Sequence, residues 1–65
     1  MKAITKIELS DQDWKTQLAR GYPNIPAGEE VTIINEDYIN FYGRWCEVLW
    51  NNNRYYVSKQ DLKIL

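Results

Sequence analysis

The chain has 65 residues, of which 45% are hydrophobic and 14% aromatic, and its formal net charge is −1. So short a chain forms one domain, residues 1–65, whose small core depends on large side chains. It contains one cysteine and no histidine, which excludes an internal disulfide and argues against a zinc site. We therefore expect no metal and no cofactor. The weak net charge is not typical of proteins that bind nucleic acid.

The absence of histidine also bears on catalysis, because a general base near neutral pH would then have to be a strongly shifted carboxylate or lysine. We predict that the protein is not an enzyme. Its first residues, MKAITKIELSDQDWK, contain no apolar signal-peptide core. No run in the chain is long enough to span a bilayer. We therefore expect no membrane association and a cytoplasmic location.

The front of the chain predicts a strand over residues 2–9, KAITKIEL, where β-branched residues are frequent. A short helix is then predicted over residues 11–20. Ser10 would be its N-cap and Gly21 would follow its last residue. Asp11 would place negative charge in the first turn, where the helix dipole favours it.

The rest of the chain predicts four further strands, because alternation and β-branched or aromatic residues recur. Their expected bounds are residues 29–35, 44–50, 54–57 and 62–65. The three asparagines 51–53 predict a hairpin turn, since asparagine tolerates the left-handed conformation. Residues 36–43, EDYINFYG, are predicted to be a loop with an unusual aromatic content. The SKQD segment predicts one turn of 3₁₀ helix capped by Ser58.

Alternation in strand 44–50 separates two sets of side chains. Cys46, Val48 and Trp50 share the face expected to join the core, so Cys46 is predicted to be a buried, inert thiol. Trp45 falls on the opposite face, where Tyr56 can join it. Two interpretations of Trp45 stay open: a side chain covered by the helix or by loop 36–43, or an exposed anchor for a partner.

The later pieces of the chain follow a familiar order: IPAGEEVTII, GRWCEV, NNN, YYV and SKQDL. In this order residues 25–65 resemble the later strands of bacterial SH3-like domains. The resemblance implies a mainly β fold, a small, partly open five-stranded SH3-like barrel. It also implies that helix 11–20 stands in place of the RT loop and that residues 36–43 form the n-Src loop.

The resemblance extends to the ligand groove of eukaryotic SH3 domains, but only in part. The groove tryptophan corresponds to Trp45, whereas the groove proline and tyrosine correspond to Ser58 and Asp61. Aromatic walls are what such grooves offer to a proline-rich helix. The resemblance therefore does not predict binding of polyproline peptides.

From these features we predict a non-catalytic interaction module that binds a protein or peptide partner, or a second copy in a homodimer. The candidate surface is aromatic and comprises Trp45, Tyr38, Phe41, Tyr42 and Tyr56. One alternative is a nucleic-acid-associated barrel that uses the basic residues Arg44, Arg54 and Lys59. Another is an accessory domain without a ligand of its own.

Overall fold

The computed structural model describes residues 1–11, 20–41 and 43–65. The helix predicted over residues 11–20 falls almost entirely on residues outside this part of the chain. Asp11 and Arg20, at its expected ends, are described and are not helical. The described residues contain no α-helix, and nothing helical in them has the length or apolar character needed to cross a bilayer.

Five strands and one turn of 3₁₀ helix make up the described structure. The elements are β1 (Lys2–Thr5), β2 (Glu30–Asn40), β3 (Gly43–Trp50), β4 (Asn53–Val57), the 3₁₀ turn (Lys59–Asp61) and β5 (Leu62–Ile64). All pairings are antiparallel, and the strands form one sheet in the order β4-β3-β2-β1-β5. The mainly β fold class is therefore confirmed.

The sheet is not closed into a barrel, so the barrel prediction is wrong in this respect. Closure requires hydrogen bonds between the two outermost strands. Here the outermost strands are β4 and β5, and no pairing joins them among the described residues. The 3₁₀ turn carries the chain from β4 to the far side of β1, where β5 pairs over Leu62–Ile64 alone.

Strand β1 is shorter than predicted and ends at Thr5. The Thr5 hydroxyl donates a hydrogen bond to the Pro26 carbonyl at 2.7 Å and accepts one from the Glu29 amide at 3.0 Å. These bonds close the base of the long β1–β2 connection on the buried Thr5 side chain. Farther along, Leu9 and Ile25 form an isolated bridge between the two legs of that connection.

Strand β2 is longer than predicted, and the loop expected at residues 36–43 is mostly strand. Tyr38 lies opposite Trp45 in the β2–β3 pairing, and only two residues separate the strands. Aromatic and β-branched side chains favour such paired positions. The register shifts twice, between Ile33 and Asn35 and between Asn35 and Tyr38. Shifts of this kind bend and twist a strand.

Ten buried hydrophobic residues of the described chain form the core on one face of the sheet. They are Ala3, Leu9, Ile25, Val31, Ile33, Cys46, Val48, Tyr55, Val57 and Leu62. The alternation predicted for β3 is confirmed, since Cys46 and Val48 are buried and Trp50 packs against the core while half-buried.

The hairpin between β3 and β4 turns on two residues with left-handed backbone. Asn51 has φ 51° and Asn52 has φ 63°, as a two-residue type I′ turn requires. Asn53 is already the first residue of β4 and lies opposite Trp50. The predicted asparagine turn is confirmed, with the third asparagine in the strand.

We predict different effects on stability for two substitutions of Asn52. Asn52→Ala should lower the free energy of unfolding by about 1 kcal/mol, because a Cβ disfavours the left-handed conformation. Asn52→Gly should match or exceed the wild-type stability, since glycine adopts positive φ without a steric penalty. Urea unfolding followed by tryptophan fluorescence measures both. Equal stability of the two variants would contradict the turn geometry.

Candidate functional site

A groove with a volume of about 240 Å³ lies between the β1–β2 connection and the sheet, and the core residues Leu9 and Val57 are among those that line it. Residues 7–10 of the β1–β2 connection form one wall. The other side is formed by Trp45 from β3, residues 56–58 at the end of β4, and Asp61 from the 3₁₀ turn. We call it the Trp45 groove. Pockets for drug-sized ligands are typically about 300–1,000 Å³, so this groove has room for one or two side chains.

Hydrogen bonds hold the 7–10 wall at both ends. The Lys6 amide donates to the Asp61 carbonyl at 2.8 Å, which ties the start of the wall to the 3₁₀ turn. Leu9 and Ile25 exchange two backbone hydrogen bonds of 2.9 and 2.8 Å. The wall is thus attached to the same 3₁₀ turn that completes the opposite side of the groove.

Three of the predicted site residues meet beside this groove. Tyr38 is the cross-strand partner of Trp45, and the rings of Tyr38 and Tyr56 lie 4.9 Å apart between centroids. All three side chains are half-buried. Trp45 is therefore neither fully covered nor fully exposed, and it lines the groove together with Tyr56.

The other two predicted site residues are not part of the groove as described. Phe41 lies in the short turn between β2 and β3 and is 95% exposed. It does not line the Trp45 groove. Tyr42 lies outside the described residues. A binding role for either residue stays a prediction.

The sequence prediction missed the 7–10 wall, because Ile7 to Leu9 were assigned to a strand and Ser10 to a helix cap. Ser58 and Asp61 are the positions to which the SH3 resemblance assigned the groove proline and the groove tyrosine. Both line the groove. Ser58 occupies the N-cap position of the 3₁₀ turn, but its side chain makes no capping hydrogen bond within the described structure.

The groove is acidic. Glu8 and Asp61 line it, and no lysine or arginine is among the described lining residues. The Glu8 carboxylate accepts a hydrogen bond of 2.9 Å from the Asn24 side chain. A cation entering the groove would meet two carboxylates and an aromatic wall.

The basic residues named for nucleic acid binding each form an ion pair. Arg44 lies 3.9 Å from Asp37, Arg54 lies 3.6 Å from Glu47, and Lys59 contacts Glu36. Hydrogen bonding to Glu36 raises the pKa of Lys59. Most of these side chains are largely exposed, and the main exception is Glu47, whose side chain is 10% exposed. The positive charges of Arg44, Arg54 and Lys59 are thus each compensated by a nearby carboxylate.

Cys46 lies on the core face of β3, with no exposed surface. Burial raises the pKa of its thiol, and the charge of Glu36 raises it further. A reactive cysteine requires access and thiolate character, and Cys46 has neither. The prediction of a buried thiol is confirmed.

No protein-family model matches the chain, and neither a curated protein nor a solved structure matches it significantly.

We predict that Cys46 reacts with Ellman's reagent only when the protein unfolds. At slightly alkaline pH the folded protein should be labelled far more slowly than a free cysteine, because the thiol is both inaccessible and protonated. As urea unfolds the protein, the labelling rate should rise to that of a free cysteine. Rapid stoichiometric labelling without denaturant would contradict the buried position of this side chain.

Proposed function

We propose that the protein is a non-catalytic interaction module that binds a peptide segment of a partner protein in the Trp45 groove. The observation that carries the proposal is the open groove beside half-buried Trp45, with its far wall held by backbone hydrogen bonds. Tyrosine and tryptophan combine a large apolar surface with a polar group, and both are enriched where proteins bind one another. Tyr56 lines the groove with Trp45, and Tyr38 extends this surface beyond the groove.

The wider family proposal rests on the same resemblance as before. We propose that the chain is a relative of bacterial SH3-like domains, with an open sheet instead of a closed barrel. Three features support this: a long connection after β1, a tight hairpin between β3 and β4, and a 3₁₀ turn before β5. A cytoplasmic location stays a prediction from the sequence.

The charge of the groove indicates which partner segments it favours. Glu8 and Asp61 attract a lysine or arginine side chain, and an aromatic ring such as Trp45 stabilises a cation placed over its face. The groove holds one or two side chains, so a single basic residue with one apolar neighbour would occupy it. The proposed partner is therefore an extended segment that contains a basic residue.

The nucleic-acid alternative receives less support from the charges. Phosphate binding depends on unneutralised lysine and arginine side chains, and Arg44, Arg54 and Lys59 already face carboxylates. Fluorescence anisotropy with labelled single-stranded oligonucleotides at low salt tests it directly. Binding that weakens steeply as salt rises would favour this alternative over the peptide-binding proposal.

The main test of the proposal uses peptides as probes. They are selected for binding to the wild-type protein from a random library displayed on phage. We expect Trp45→Ala to weaken binding of the selected peptides by at least about tenfold, equivalent to ~1.4 kcal/mol. Phe41→Ala is the control, because Phe41 is an exposed aromatic residue of the same β2–β3 hairpin and lies outside the groove. Its affinity should stay within about twofold of the wild type, and isothermal titration calorimetry measures each value.

Two outcomes would contradict the proposal. Equal losses in both variants would move the site to the hairpin turn, and unchanged binding in Trp45→Ala would remove it from the groove. Far-ultraviolet circular dichroism and urea unfolding must show that Trp45→Ala still folds cooperatively. If it does not, Tyr56→Ala replaces it, because Tyr56 lines the same groove. If the molecular mass of the wild-type protein rises with concentration and that of Trp45→Ala does not, the groove would instead be a homodimer interface.

The acidic character of the groove gives a separate prediction. Asp61→Asn should lower the affinity for a lysine- or arginine-containing peptide by roughly threefold to tenfold, because a desolvated charge pair is lost. Glu30→Gln is the control, since Glu30 is an exposed carboxylate paired with Lys2 at 3.4 Å and does not line the groove. Added salt should reduce the difference between wild type and Asp61→Asn. An unchanged affinity in Asp61→Asn would contradict a cationic ligand.

A further inference from the structure

Asp11 is a buried carboxylate that joins the two legs of the β1–β2 connection. Its side chain is 3% exposed. One carboxylate oxygen, Oδ2, accepts hydrogen bonds from the backbone amides of Arg20 at 2.7 Å and Tyr22 at 3.0 Å. The other, Oδ1, accepts from Nη2 and Nε of the Arg20 side chain at 2.8 and 3.2 Å. The sequence placed Asp11 in the first turn of a helix, whereas its partners lie nine and eleven residues away.

The residues that Asp11 holds are themselves attached to β4. The Arg20 guanidinium donates to the Arg54 carbonyl and stacks over the Tyr22 ring at 4.4 Å. The Tyr22 ring lies 6.0 Å from the ring of Tyr55. The Tyr55 hydroxyl donates to the Pro23 carbonyl at 2.6 Å. The second leg of the connection is thus fixed to the edge of the sheet.

The groove wall ends directly before Asp11. Residues 7–10 leave the Lys6–Asp61 hydrogen bond at one end and reach Asp11 at the other, with the Leu9–Ile25 bridge between. If Asp11 lost its partners, Ser10 would lose the attachment that follows it in the chain. The wall would then be held only up to the Leu9–Ile25 bridge. The position of the wall facing Trp45 would then be less well defined.

We infer that Asp11 is a positioning residue of the Trp45 groove, because its carboxylate fixes the 7–10 wall to β4 through Arg20 and Tyr22. This inference rests on the proposed peptide-binding function. The groove must keep a defined width to bind a side chain tightly, and preorganised walls lower the entropic cost of binding. Asp11 would act on affinity without touching the ligand, since it does not line the groove.

The chemistry of the contact requires an ionised carboxylate. Both oxygens receive N–H donors, so an asparagine in this place would turn an NH₂ group towards other donors. A buried acceptor or donor left without a partner is costly. Burial by itself raises the pKa of Asp11, and the hydrogen bonds from Arg20 and Tyr22 outweigh that effect, so the pKa lies below its ordinary value. The group is therefore ionised at neutral pH.

The test compares Asp11→Asn with Asp37→Asn, an exposed carboxylate that lies 3.9 Å from Arg44. Amide hydrogen exchange by NMR is the first readout. Asp11→Asn should accelerate exchange at Leu9, Ile25 and Tyr22 by at least about tenfold, while the amides of Val48 and Tyr55 keep wild-type protection. Asp37→Asn should change none of these rates. Uniform acceleration throughout the sheet would overturn the inference, because it would mean general destabilisation.

The second readout is the affinity of a peptide selected on the wild-type protein. We expect a loss of about tenfold in Asp11→Asn and less than twofold in Asp37→Asn. A wild-type affinity in Asp11→Asn would overturn the inference. Failure to select any peptide with the wild-type protein would count against the proposed function alone, since the exchange measurement still decides whether Asp11 fixes the wall.

A milder variant covers the case in which Asp11→Asn does not fold. Arg20→Ala removes the two guanidinium bonds to Asp11, together with the guanidinium contacts to the Arg54 carbonyl and the Tyr22 ring, and keeps the two backbone amides that bind the other oxygen. The same amides should exchange faster than in the wild type, with a smaller change in peptide affinity. Wild-type exchange at Leu9 and Ile25 in Arg20→Ala would overturn the inference.

Discussion

The bent course of β2 is the constraint on which the other parts of this structure depend. Its first residues pair with β1, and from Thr32 onward it pairs with β3. Two register shifts between Ile33 and Tyr38 add residues to β2 that β3 does not match. Bulges of this kind turn a strand and increase its twist. The course of β2 therefore affects both faces of the sheet: the core face and the face that carries Tyr38 and Trp45.

A second requirement arises from the small size of the core. The core has ten buried hydrophobic residues in the described chain, and only Leu9 and Ile25 among them belong to the long connection between β1 and β2. Polar contacts of this connection add to their burial: the Thr5 hydroxyl bonds at its base, the Leu9–Ile25 bridge lies in the middle, and the Asp11 carboxylate bonds lie beyond the bridge. Buried polar groups of this kind are tolerated because each finds partners. They also place the wall of the groove.

The same two features explain how the proposed binding surface forms on so small a protein. The β2–β3 pairing presents an aromatic face, and the fixed β1–β2 connection stands beside it to make a groove instead of a flat sheet. A concave surface with aromatic walls and two carboxylates offers both contact area and charge selectivity. The thiol of Cys46 lies away from this groove, in the core.

The sequence by itself determined the β3–β4 hairpin, the two faces of β3, the 3₁₀ turn and the short last strand. These features depend on neighbouring residues: alternation decides which side chains face the core, and Asn51 and Asn52 accept positive φ. It also placed Trp45 and Tyr56 on the face opposite the core. Residues 36–43 were misassigned because aromatic residues suit a strand or a tucked loop equally, and only pairing with β3 decides between them.

Only the tertiary structure decided where the groove lies and what holds it. Its wall at residues 7–10 and its opposite side at Trp45 and Asp61 are far apart in the chain, and no local pattern brings them together. Asp11 shows the same limit, since an aspartate after Ser10 looks like part of a helix start until its partners, Arg20 and Tyr22, are seen. Local propensity acts over a few residues, whereas the groove depends on long-range hydrogen bonds that form only when the sheet is complete.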